Sequence, residues 1–161
     1  MPMEKVFVGK IVNTFGIKGE LKIANSFEWP EKVFQKEVNI LINNESFKIT
    51  KVRYHKNHYL VEINDLNDIN LVEKYKGLDI YILKSSLDLQ ADEYLMNDLI
   101  GLDVYDNNEL IGQVTEIINH PVNPLIKVNN QFYIPMKAHY IQTVDLKDKC
   151  IKGKNIKELM L

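Results

Sequence analysis

Few side chains in this 161-residue chain have the types and spacing that chemistry needs. His55 and His58 have a metal-like spacing, but they fall in a tight turn between two strand-like runs, with no cysteine cluster or further ligand set beside them. His120 and His139 stand alone, so no metal site and no cofactor is expected. Gly16-Ile17-Lys18-Gly19 is too short for a phosphate loop and lacks its Lys-Ser/Thr ending and following helix. Its expected role is a tight turn, with Lys18 at the tip within reach of a phosphate. The single cysteine, Cys150, forms no internal disulfide and has no evident base beside it, which suits an inert strand residue in a reducing cytoplasm. Asp92-Glu93 is a carboxylate pair in a loop, and acid–base work there would need an enclosing pocket. No nucleophile elbow is present. The expectation is a protein with no catalytic residues, one that binds and does not react.

Charge supplies what catalysis does not. The formal net charge is −2. Residues 1–90 carry 13 Lys and Arg against 12 Asp and Glu, whereas residues 91–161 carry 7 against 10. Within residues 5–53 nine basic groups face five acidic ones. Residues 91–126 hold seven acids, Asp92, Glu93, Asp98, Asp103, Asp106, Glu109 and Glu116, and no Lys or Arg. Such a split points to two surfaces with different partners, or to the solvated faces of two barrels. Tyr94 lies beside the acids, where a rigid amphipathic ring suits a partner anchor. No run of about 18 apolar residues is present, so no membrane helix is expected, and the N-terminal residues lack the apolar core of a secretion signal.

The elements that must position these groups read as strands. Val6–Val12, Gly19–Asn25, Val38–Ile42, Phe47–Tyr54, Tyr59–Ile63 and Leu78–Leu83 fill the first half. Asn43-Asn44 and the His55–His58 segment are hairpin turns by composition. Trp29–Phe34 reads as a short helical excursion with Pro30 at its start. Asp65–Lys76 reads as a helix capped by Asn67 and stopped by Gly77. Ser85–Glu93 is the expected linker, which gives a domain over 1–84, a linker over 85–93 and a second domain over 94–161. The second domain shows strands at Leu99–Tyr105, Leu110–Asn119, Leu125–Val128, Phe132–Pro135, Tyr140–Leu146 and Cys150–Lys152. A loop is expected at Pro121–Pro124, and a final helical turn capped by Asn155. Short strands with turns every eight to twelve residues predict a mainly β protein of two small barrels with short helices.

Particular residues also resemble a known family, the ribosome maturation factor RimM. In the first half the likeness rests on Val8-Gly9-Lys10-Ile11-Val12, on Gly16-Ile17-Lys18-Gly19-Glu20-Leu21-Lys22-Ile23 and on Glu73-Lys74-Tyr75-Lys76-Gly77. In the second it rests on Asp98-Leu99-Ile100-Gly101-Leu102-Asp103-Val104, Ile111-Gly112-Gln113-Val114, Ile134-Pro135 and Val144-Asp145 with Lys149-Cys150-Ile151. The resemblance implies a translation-factor-like N-terminal barrel and a PRC-type C-terminal barrel. It implies a cytoplasmic, non-enzymatic accessory factor for small ribosomal subunit (30S) assembly and 16S rRNA maturation, whose partners are ribosomal protein S19 and the immature subunit. The family shows two aromatics ahead of the Asp-Leu-Ile-Gly segment; Tyr94 matches the first, and Leu95 stands at the second.

On that reading the candidate ribosomal-protein-binding residues are Tyr94, Leu95, Asp98 and Leu99. The acids around them would steer a basic partner, and the desolvated apolar centre would supply affinity. Lys10, Lys18, Lys22, Lys51 and Arg53 are the candidate phosphate contacts to 16S rRNA, which position a strand without reading its sequence. A monomer is expected. Two other classes stay open at this point: a general RNA-binding barrel using the first half alone, and a phosphate-handling enzyme with a convergent pocket.

Overall fold

Strand pairing in this chain is set by turns that few residues tolerate. In the computed structural model, which describes residues 4–120 and 122–160, three hairpins close through two-residue turns: Asn43-Asn44, Lys56-Asn57 and Asn107-Asn108. All six residues have positive φ, the conformation a tight hairpin requires and asparagine accepts most readily among residues with a Cβ. Asn129 and Asn130 do the same in a three-residue loop. The hairpins expected at Asn43-Asn44 and at His55–His58 are both present.

The chain divides into two compact units, Met1–Asp88 and Leu89–Leu161. The first contains β1 (Lys5–Phe15), β2 (Glu20–Ala24), α1 (Pro30–Val33), β3 (Asn39–Ile42), β4 (Glu45–His55), β5 (His58–Ile63), α2 (Ile69–Val72) and β6 (Asp79–Leu83). The six strands close into a barrel in the order β1-β2-β5-β4-β3-β6. Alternation fills its interior: Leu21 and Ile23 of β2, Ile40 and Ile42 of β3, Phe47 and Ile49 of β4, and Ile80 and Ile82 of β6 are buried. Each such side chain contributes roughly 1.5–3 kcal/mol on burial. Pro30 begins α1, where its missing N–H costs nothing.

Two expectations for this unit need correction. The helix is not capped by Asn67; Asp68 is the cap, its carboxylate accepting the Asn70 N–H at 2.9 Å. The expected helix over Asp65–Lys76 is only α2 and a 3-10 turn, Glu73–Tyr75, because residues 64–67 turn the chain out of β5 first, with Asn64 and Asp65 at positive φ.

The second unit holds β7 (Asp103–Asp106), β8 (Glu109–Ile118), β9 (Leu125–Val128), β10 (Phe132–Pro135), β11 (Ile141–Asp145) and β12 (Cys150–Gly153). They form a six-stranded sheet in the order β10-β9-β8-β7-β12-β11, antiparallel except for the β12–β7 pair. Leu99, Val104, Val114, Ile126, Val128, Ile134, Ile151 and Ile156 make its core. The strand expected from Leu99 begins only at Asp103; Met96–Leu99 is a 3-10 turn, and Gly101 at φ +90 redirects the chain into β7. Pro121 lies outside the described residues, and Val122–Pro124 joins β8 to β9.

The final 3-10 turn, Ile156–Met160, is not capped by Asn155, which sits at φ +60. Its cap comes from a distant strand. Asp106 is 2% exposed, and its two carboxylate oxygens accept the N–H groups of Ile156 at 3.1 Å and Lys157 at 3.2 Å. One of the seven acids read as surface charge is therefore a buried structural carboxylate, paid for by two charge-assisted hydrogen bonds.

Gly19 shows how tightly the first unit closes. It has φ +84, and a Cβ there would stand 2.2 Å from the Leu66 carbonyl oxygen. Gly19→Ala should lower unfolding stability by about 3 kcal/mol, from left-handed strain and overpacking together. Denaturant unfolding measures this; a loss below about 1 kcal/mol would show that the backbone of Leu66–Asp68 yields freely.

Candidate functional site

On β2, β5 and β4, adjacent in the barrel, the side chains alternating with the core residues project outward. Leu21 pairs with Val61 and Val61 with Val52, which fixes the register across all three strands. Glu20 and Lys22 therefore share an outer face with Arg53 and Lys51. Lys18, Glu20, Lys36, Lys51, Val52, Arg53 and Glu62 line a surface depression of about 480 Å³. Four cations stand there against two carboxylates.

The charges are partly paired. Arg53 makes a two-pronged contact with Glu20, Nε to Oε2 at 2.8 Å and Nη2 to Oε1 at 3.0 Å. Lys51 Nζ lies 3.9 Å from the buried Glu62 carboxylate. The hydrogen bond from Arg53 holds the Glu20 carboxyl below its ordinary range, aided by the charges of Arg53, Lys18 and His55. The same hydrogen bond raises Arg53, which stays fully protonated. Arg53 also lies 5.4 Å over the Phe15 ring, which in turn meets His55 edge to face at 5.3 Å.

Of the five candidate phosphate contacts, Lys18, Lys51 and Arg53 come together in the depression. Lys22 sits on the same strand group, opposite Leu60, which itself lies opposite Arg53. Lys10 is separate, on β1 between Ala24 and Asp79. Lys36 was not among the expected contacts: it lies in the irregular segment after α1, where no strand alternation indicates its direction.

In the second unit, Leu99 is fully buried and Leu95 is 6% exposed. Both are core positions in the free protein. Tyr94 and Asp98 are half-buried, and Tyr94 packs on the apolar core of its unit. Ile100 and Leu110 are the large apolar side chains exposed nearest in sequence. Among the remaining acids, Glu109 is bonded to Lys157 and Glu116 lies 3.8 Å from Lys127. The Glu109 hydrogen bond raises the Lys157 pKa. Asp103 accepts a hydrogen bond from Gln113 Nε2 at 3.1 Å. Cys150 is buried, and no group of three potential metal ligands occurs among the described residues. His58 instead places Nδ1 3.1 Å from the Lys56 carbonyl. No helix in the described residues is long and apolar enough to cross a membrane.

These features define a two-unit β protein, a closed barrel followed by a six-stranded sheet, with charged faces on both. The model of the RimM N-terminal domain matches residues 6–87, and that of the RimM PRC barrel domain matches residues 96–155. A ribosome maturation factor RimM of Staphylococcus haemolyticus is 32% identical, over 92% of this chain and 94% of its own length. That of Oenococcus oeni is 35% identical, over 92% and 93%, and that of Clostridium botulinum 34%, over 97% of each. A solution structure of the N-terminal domain of RimM from Thermus thermophilus covers 53% of this chain and 95% of its own at 17% identity and a TM-score of 0.46. The chain belongs to the RimM family of ribosome maturation factors.

Because the Glu20 pKa is lowered in the folded state, its contribution to stability is fully present above the unfolded value and is lost as pH falls through the folded one. Arg53→Ala should move the Glu20 titration midpoint upward, towards its ordinary 4.5. Carboxyl-carbon NMR reads this directly. An unmoved midpoint would mean that Lys18 and His55, rather than Arg53, hold it down.

Proposed function

We propose that this protein is an accessory factor for 30S assembly and 16S rRNA maturation, acting in the cytoplasm by binding and without catalysis. The observation that carries this reading is the ordered match of both RimM domain models across the chain. Ribosomal protein S19 is the proposed partner of the second unit and of the segment preceding it. Within that unit Tyr94 and Asp98 form the more accessible part, and Leu95 and Leu99 act from beneath by fixing the turn that presents them. A basic ribosomal protein complements the exposed Asp92 more than it complements Asp106, Glu109 or Glu116, whose charges are already engaged. The charge contribution lies mainly in the encounter rate.

The barrel's cations support direct contact with 16S rRNA phosphate. Lys18, Lys36, Lys51 and Arg53 surround one depression, a geometry suited to a backbone.

Three measurements test the reading. Cells lacking the protein should accumulate 16S precursor and immature subunits, and the intact gene should restore both; normal maturation without it would overturn the assignment. Tyr94→Ala should weaken S19 binding about tenfold in calorimetry, the lower range for an interface anchor. The association rate should fall as ionic strength rises. Unchanged affinity with an intact fold would remove Tyr94 from the interface.

A further inference from the structure

The β4–β5 hairpin has a composition that barrel folding does not demand. From Lys51 to Tyr59 the sequence is Lys-Val-Arg-Tyr-His-Lys-Asn-His-Tyr: three cations, two histidines, two tyrosines and no carboxylate. The hairpin turns at Lys56-Asn57, and Tyr54 pairs with Tyr59 across it. From this pair a line of rings runs from core to solvent. Phe34, 3% exposed, stacks on Tyr59 at 4.9 Å with 28° between planes. Tyr59 meets Tyr54 edge to face at 5.0 Å and 67°. Tyr54 ends the line at 62% exposure.

A T-shaped contact occupies at most one face of the Tyr54 ring. At 62% exposure much of the Tyr54 ring stays in water, on a support that reaches the core. Tyr59 is held between Phe34 and Tyr54, and burial raises its pKa, with Glu31 and Tyr54 adding to the effect. Next to Tyr54 on the chain, Arg53 and His55 point to the opposite side with Phe15, and Lys56 stands exposed at the tip.

We propose that the β4–β5 hairpin tip is a stacking site for an unpaired base of single-stranded RNA, with the Tyr54 ring as its platform. Lys56, exposed at the tip, takes an adjoining phosphate. A flat, sequence-tolerant aromatic face beside positive charge is the general arrangement for single-strand binding. An exposed tyrosine also suits a protein partner. Lys56, exposed at the tip two residues from Tyr54, favours the polyanion. The proposal rests on the reading of the barrel as an rRNA-binding unit and adds the part of the RNA it takes: a splayed base in addition to the backbone.

The test uses the full chain and two fluorescent probes, a twelve-nucleotide oligouridine and an abasic ribose-phosphate chain of equal length, titrated at several salt concentrations. Wild type should bind the oligouridine about tenfold more tightly than the abasic chain. Tyr54→Ala should abolish that preference and leave the salt slope unchanged, whereas Tyr54→Phe should retain it. Lys18→Ala with Lys51→Ala should reduce the salt slope and leave the preference for bases. Circular dichroism and the melting midpoint verify folding of each variant. Equal wild-type affinity for the two probes, or a preference intact in Tyr54→Ala, would overturn the stacking site and leave the phosphate contacts standing. No binding of either probe would overturn both. Loss of S19 binding in Tyr54→Ala with RNA binding intact would assign the ring to a protein partner and also overturn the proposal.

Discussion

Register is the constraint on which the surface chemistry of this molecule depends. In a strand, a slip of one residue exchanges the inward and outward side chains along its whole length. Here Asn43-Asn44, Lys56-Asn57 and Asn107-Asn108 leave their flanking strands one pairing each. Lys56 is the costly member, since a lysine gains nothing from the left-handed region that asparagine tolerates. The barrel interior enforces the same choice independently. If β4 slipped by one, Phe47 and Ile49 would leave the core, and Lys48 would enter it. Lys51 and Arg53 share the parity of Phe47 and Ile49, and the register shift between Ile49 and Lys51 turns them outward, a feature of the backbone that has nothing to do with ligand binding.

Placement is not the same as availability. The outer face of β2, β5 and β4 is a mosaic, with Arg53 held by Glu20 and Lys51 near Glu62. Exposed pairs of this kind add little to stability, with a typical contribution of about 0–1 kcal/mol. Their larger effect is to hold long side chains in fixed positions, so that an incoming anion meets ordered cations and must compete with carboxylates for them. The acidic segment of the second unit follows a similar rule. Asp106 caps the terminal turn, Glu109 and Glu116 have lysine partners, and a count of charges in the sequence overstates the field they present to solvent.

Much of the fold was legible because its signals are local. Leu125–Val128 and Phe132–Pro135 are strands with the bounds that alternation indicated, and Pro30 marks a helix start. The misreadings have two causes: a tertiary interaction replaced by a neighbour in sequence, and a local turn not recognised inside an apolar or helical pattern. Asn155 is a plausible cap beside its turn, yet the cap is Asp106, fifty residues away. Leu99 belongs to an apolar run that resembles strand, yet Gly101 bends the chain before β7 begins. The candidate site was legible to the same degree. Lys51 and Arg53 were found as basic residues of a strand, although the register shift that turns them outward was not legible, whereas Lys36 arrives from an irregular segment whose course depends on the closed barrel. Burial of Leu95 and Leu99 was beyond the reach of pattern as well, since an apolar side chain looks the same in sequence whether it serves a core or an interface.

The row formed by Phe34, Tyr59 and Tyr54 joins these arguments. An aromatic ring on a flexible support loses conformational freedom when it is bound, and that loss subtracts from affinity. Cross-strand pairing fixes Tyr54 against Tyr59, and stacking fixes Tyr59 against buried Phe34, so most of the ordering is completed when the barrel folds. The β4–β5 register that turns Lys51 and Arg53 outward also aligns the two tyrosines. A single turn, Lys56-Asn57, thus determines both the cation spacing and the ring orientation. A change in that turn would act on two contact types together, though neither of its residues belongs to the depression or to the row of rings.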